Sequence, residues 1–155
     1  MESLSNQIRA QTEGRGQQYV ADVIKSLCSA GNTGGLTYVS DSTTHWIEEY
    51  WQFPLETLYL KTGDCEDTAF LFAALAKYMG YDVCLFRFYD HMAAGVTLES
   101  FTPSGNSGTS ISDTDHCIPV NDKDYYYVET TNHTWAVGDV WAQKYPANYL
   151  IIITI

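Results

Sequence analysis

No two cysteines in this chain are spaced Cys-x-x-Cys, so a zinc ribbon and a thioredoxin-type redox site are both excluded on spacing. Cys28, Cys65, Cys84 and Cys117 are scattered singly. Free thiols are expected, and Cys84–Cys117 is the one pairing to check for a bridge. Basic residues are scarce, 8 Lys and Arg against 19 Asp and Glu, for a formal net charge of −11. That balance opposes nucleic acid and anionic membrane surfaces, where binding depends on neutralising phosphate. Long apolar runs are missing too. The stretch Ala69 to Ala76 is far too short to span a bilayer, and the polar opening Met1-Glu2-Ser3 lacks the apolar segment of a secretory leader. The expectation is no membrane insertion and, by default, a cytoplasmic protein. Asp113, Asp115, Asp122 and Asp124 do not follow the order of a calcium-binding loop, so they read as a solvated acidic loop. No internal repeat is visible.

What is present is enough apolar material for one core. Of 155 residues, 45% are hydrophobic and 14% aromatic, which predicts a single domain over 1–155. Residues 1–16 are polar and Gly-punctuated, and are expected to be loosely held. Tyr19, Val20, Val23, Ile24 and Leu27 recur at helical spacing and predict a helix over Gln17 to Ser29. Leu36 to Val39 reads as a short extended piece. Ser42-Thr43-Thr44 predicts the cap of a second helix carrying Trp46, Ile47, Tyr50 and Trp51, and Pro54 suits the first turn of a third. Gly63 should break that helix, with Asp64 and Asp67 capping a central, nearly all-apolar one that Gly80 ends. Beyond Gly80 the period turns extended. Strands are predicted at Val83 to Tyr89, His91 to Leu98, Tyr125 to Thr130 and Leu150 to Ile155. Residues 102–124, rich in Ser, Gly, Thr, Asn and Asp, read as a long flap-like loop. Helices first and strands second imply an α+β domain with the central helix packed on an antiparallel sheet.

Cys65 falls at the first turn of the central helix. The macrodipole there favours a thiolate, but Asp64, Glu66 and Asp67 oppose it, so a reactive Cys65 needs an imidazolium partner. Among four histidines, His91 starts a strand, His116 ends the polar loop, His45 lies in a helical stretch and His133 in a turn. A strand is the stiffer mount, which favours His91. Glu129 is the one carboxylate within an otherwise apolar strand and needs a partner if it points inward. The plainer alternatives are a buried structural Cys65, a core His91 bonded to a carbonyl, and a solvated edge-strand Glu129. Trp46, Trp51 and Phe53 fit a core at helical spacing, with the wall of a substrate groove as the other reading. Gln52 is a candidate oxyanion donor beside the backbone N–H of Cys65.

Gly63-Asp64-Cys65-Glu66-Asp67-Thr68-Ala69, the strand from His91 to Val96, and Tyr127-Val128-Glu129-Thr130-Thr131 resemble the transglutaminase-like superfamily. In particular they look like its archaeal and bacterial branch, the transglutaminase-like cysteine peptidases. Tyr50 to Leu58 resembles the helix pair before the nucleophile, and the likeness runs from about Leu36 to Thr131. It implies a papain-like core, a triad of Cys65, His91 and Glu129, and no cofactor. The acid is Glu where the superfamily usually has Asp. The long loop between the histidine and acid strands makes His116 a competitor of His91. The implied activity is acyl transfer from a peptide or glutamine amide, with hydrolysis favoured and a peptide or protein as the substrate. Cross-linking transfer to an amine and a non-catalytic peptide-binding module are the alternatives. A metal set of Cys65, His91, His116 and Cys117 is a further one. The oligomeric state is not encoded.

Overall fold

The computed structural model describes residues 1–31, 35–44, 49–103, 116–140 and 151–155. The chain opens with α1 (Glu2–Gln11), where polar composition predicts loose chain. Met1, Leu4 and Ile8 form a one-per-turn apolar stripe, and Ile8 is buried with Met1 and Leu4 packed beside it. α2 (Gln17–Cys28) follows as expected and buries Ala21, Ile24, Lys25 and Cys28. A lysine therefore sits in the middle of its inward stripe.

β1 (Thr37–Tyr38) and a short α3 (Asp41–Thr44) come next. Tyr50 and Trp51 lie outside any helix, contrary to the predicted second one. The Tyr50 N–H is drawn instead to the Asp41 carboxylate. His45, Trp46 and Ile47 lie outside the described residues. α4 (Pro54–Leu60) begins on its proline, and Lys61, at φ 56°, ends it. The terminator is thus Lys61 rather than Gly63. Gly63 belongs to β2 (Thr62–Gly63), which pairs parallel with β1. Its lack of a side chain serves packing, because a Cβ there would lie 2.7 Å from the Cβ of Asp67.

The central helix α5 (Cys65–Tyr78) packs against the sheet, with α2 and α4 at its sides. Leu71, Phe72, Leu75 and Ala76 are buried, as an all-apolar helix requires. Gly80, at φ 98°, supplies the left-handed turn that ends the segment.

β3 (Val83–Arg87), β4 (Met92–Thr97), β5 (Cys117–Val120), β6 (Lys123–Val128) and β7 (Ile151–Thr154) form one sheet in the order β5-β6-β4-β3-β7. Every pairing in it is antiparallel, so the domain is α+β. Alternation divides the strands between two cores. Val83, Leu85, Met92, Ala94 and Val96 join the residues of α5, while Cys84, Phe86, Ala93, Tyr125 and Tyr127 form the other cluster.

One expectation about residues 102–124 needs correction. β5 lies inside the predicted loop and forms a hairpin with β6. Asn121 and Asp122 both have positive φ, 48° and 61°, the geometry of a tight two-residue turn. Cys84 and Cys117 are both free thiols. They sit on β3 and β5, with β4 and β6 between them, a separation of about 14 Å at ordinary strand spacing. Residues 104–115 of the loop lie outside the described residues. Among the described residues no helix is long and apolar enough to cross a membrane.

Candidate active site

Cys65 is the first residue of α5 and is 8% exposed. Asp64 and Asp67 close a capping box around it, and the Asp67 Oδ2 accepts the Asp64 N–H at 3.3 Å. This first turn is acidic and crowded. Burial, then Glu66, Asp67 and Asp41, push the Asp64 carboxyl up to about 7. The Cys65 thiol is driven well above the ordinary thiol range, by burial first and then by Glu66. Its Sγ–H donates to the Glu66 Oε2 at 2.8 Å. The backbone N–H of Met92 donates to the same sulfur and pulls the other way. Cys65 is therefore anchored at the start of β4, one residue from His91.

His91 and Glu129 meet through strand pairing. β4 and β6 pair with Ala94 opposite Val128. One further step of that register puts Ala93 opposite Glu129, with His91 two residues along on the same face. The His91 Nε2–H donates to the Glu129 Oε2 at 2.8 Å, and the imidazole stacks near the Phe88 ring, centroids 6.4 Å apart. Glu129 is 5% exposed and β6 is an interior strand, which excludes the solvated edge-strand alternative. The carboxylate also accepts from the Tyr127 hydroxyl at 3.0 Å and from the Thr131 N–H and hydroxyl at 3.0 and 2.6 Å. Burial works against its ionisation, but His91 and Thr131 outweigh burial and hold it at about 2.

The remaining candidates separate. Gln52 is buried, and its backbone N–H donates to the Asp67 Oδ1 at 2.8 Å, which ties it to the Cys65 turn. Trp51 and Phe53 are not core residues, being 45% and 77% exposed. The Trp51 ring meets Phe70 edge-on at 5.5 Å and lies under the Arg87 guanidinium at 5.4 Å. With Gln52, Pro54 and Ala73 these aromatics line an apolar pocket of about 460 Å³. His116 is a buried structural histidine. Its Nδ1 bonds the Gly138 carbonyl at 2.6 Å, and its ring packs on Phe101. It does not compete with His91 for Glu129. Metal-ligating side chains gather, among the described residues, as Asp64–Cys65–Glu66 and as Asp41–Asp64–Asp67. Neither group holds a histidine, so the set of Cys65, His91, His116 and Cys117 is not assembled.

No family model matches the chain, and no curated protein matches it. The site therefore speaks through its own geometry. Residues outside the sequence-level candidates turn out to shape it. Tyr127 and Thr131 flank Glu129 at two-residue spacing, so the period of a strand was the signal for Tyr127. Glu66 gave no signal beyond its adjacency to Cys65.

Proposed function

We propose that Cys65, His91 and Glu129 form a nucleophilic triad that cleaves an amide through a thioester, in a papain-like, transglutaminase-like arrangement. The observation that carries this reading is the buried His91–Glu129 bond of 2.8 Å, made beside the Met92 amide that holds the Cys65 sulfur. A buried carboxylate that orients an imidazole next to a thiol is the constellation that thiol catalysis needs. Because Glu129 holds Nε2, proton exchange with sulfur falls to Nδ1.

The steps follow from those roles. Nδ1 of His91 takes the proton of Cys65, and the thiolate adds to the amide carbonyl. The oxyanion forms against backbone N–H at the start of α5, with the Gln52 amide as a second donor. His91 returns the proton to the leaving nitrogen, the C–N bond breaks, and an S-acyl enzyme remains. Water, deprotonated by His91, hydrolyses it and regenerates the thiol. A lysine amine in place of water gives cross-linking. We favour hydrolysis, on the resemblance to the peptidase branch, with a peptide or protein as substrate.

One observation favours the rival, a peptide-binding module without catalysis. The Cys65 thiol rests on Glu66 and is pushed upward. In the catalytic reading substrate entry separates Cys65 from Glu66. Iodoacetamide labelling followed by mass spectrometry across pH decides between them. A nucleophilic Cys65 is alkylated at neutral pH faster than buried Cys28, and His91→Ala slows it to the rate of an ordinary buried thiol. A Cys65 no faster than buried Cys28 sinks the enzyme. Dansyl-cadaverine incorporation run beside peptide cleavage then separates amine from water as the acceptor.

A further inference from the structure

Lys25 belongs to the inward stripe of α2 and is 2% exposed. A buried ammonium is costly unless it is bonded and paired. Its Nζ donates to the carbonyls of Asn132 and Trp135, at 2.5 and 2.6 Å. Both carbonyls belong to the turn that follows Glu129. The same face of α2 grips that turn a second time, where the Asp22 Oδ1 accepts the Val137 N–H at 2.7 Å. Within the turn the Ala136 N–H donates to Asp139 at 2.8 Å. Thr131, which supplies two of the hydrogen bonds on Glu129, is the residue before Asn132.

We propose that Lys25 is a positioning residue of the Cys65–His91–Glu129 centre: its ammonium fixes the turn after Glu129 and so keeps that carboxylate, on which its positive charge also acts, aimed at His91. The catalytic meaning of this rests on the triad reading; the positioning itself does not. The charged groups facing the ammonium are Asp22 from its own helix, and Glu129 and Asp139 from the segment packed against it. Burial nevertheless outweighs all three and pulls the Lys25 pKa down to about 8. An apolar residue would fill this place in the stripe without that penalty, so what distinguishes lysine here is its charge and its three donors.

Carbon-13 NMR of the full chain tests it between pH 6.5 and 10. In the wild type, the Lys25 Cε, the Glu129 carboxyl carbon and the carbonyl carbons of Asn132 and Trp135 should move together, with one midpoint near the Lys25 value of about 8. Lys25→Arg, charged throughout, should hold the Glu129 signal at its low-pH position. Lys25→Met should hold it at the position the wild type reaches at high pH. A Glu129 carbon that ignores the Lys25 step, or two variants with the same Glu129 signal, overturns the proposal. If either variant fails to fold, the wild-type titration alone decides. Labelling of Cys65 is a separate readout. An inert thiol with Glu129 still following Lys25 removes the enzyme and leaves the positioning intact.

Discussion

Thr68 and Thr130 share a buried hydrogen bond of 2.8 Å between their hydroxyls. Thr68 stands one turn into the helix that starts at Cys65, and Thr130 follows Glu129, so the contact joins the mount of the sulfur to the mount of the carboxylate. Thr68 also donates back to the Asp64 carbonyl at 2.7 Å, which locks the first turn of α5. Replacing either threonine by valine should cost about 1 kcal/mol in urea denaturation. The double variant should cost less than the sum of the two. Strict additivity would mean that the two hydroxyls act independently.

After burial, Glu66 is the main influence on the resting thiol. Its carboxylate accepts the Sγ–H and lies next to any negative charge on sulfur, so it favours the protonated form. Glu66→Gln removes that charge, and the Cys65 titration should move down. At pH 7.5 alkylation should run roughly tenfold faster, the thiolate gain for one unit of pKa. An unchanged rate would show that burial alone governs the sulfur.

Acid should weaken the fold through Glu129. Its carboxyl titrates at about 2 in the native state, below its ordinary value of 4.5. The folded form therefore binds fewer protons than the unfolded one between those limits. The stability from the ionised group is complete above about 4.5 and lost as pH falls toward 2. The advantage of wild type over Glu129→Gln should be roughly 3 kcal/mol at pH 6 and nearly vanish by pH 2. Urea midpoints measured along that range check it. An advantage independent of pH would mean that Glu129 acts by shape and not by charge.

Gly63 is required by crowding. A methyl there would meet the Cβ of Asp67 at 2.7 Å and its Oδ2 at 3.0 Å. Asp67 in turn holds the N–H groups of Asp64 and Gln52. Gly63→Ala should lower stability by about 1–3 kcal/mol and expose the Gln52 segment. Thermal unfolding and amide exchange at Gln52 measure the two effects. Full stability in this variant would show that the turn has slack.

Much of the candidate site was legible one residue at a time, each for a local reason. Cys65 stood out because a polar Gly-Asp step precedes an apolar helix, and Glu129 because it interrupts an apolar strand. His91 was harder to separate from His116, since both flank the same loop. The pairing of β4 with β6 separates their contacts: His91 lies diagonal to Glu129, while His116 bonds Gly138. Trp51 and Phe53 are expected in the core on helical spacing, but residues 50–53 are not helical. α1 was missed because its apolar stripe is only three residues wide. Lys25 was invisible as a site residue, since a lysine within a helical stripe resembles any solvated lysine.

Composition and period alone were sufficient for the α+β class, for α2, α4 and α5, and for most strands of the main sheet. These are consequences of local spacing and of which face must leave water. Charge balance alone spoke against a polyanionic partner. Tertiary structure alone decided which imidazole meets which carboxylate, that a glutamate holds the thiol at rest, and that a buried ammonium grips the turn behind Glu129. Those relations depend on strand register and helix docking, which bring together side chains up to about a hundred residues apart. No local pattern encodes such distances.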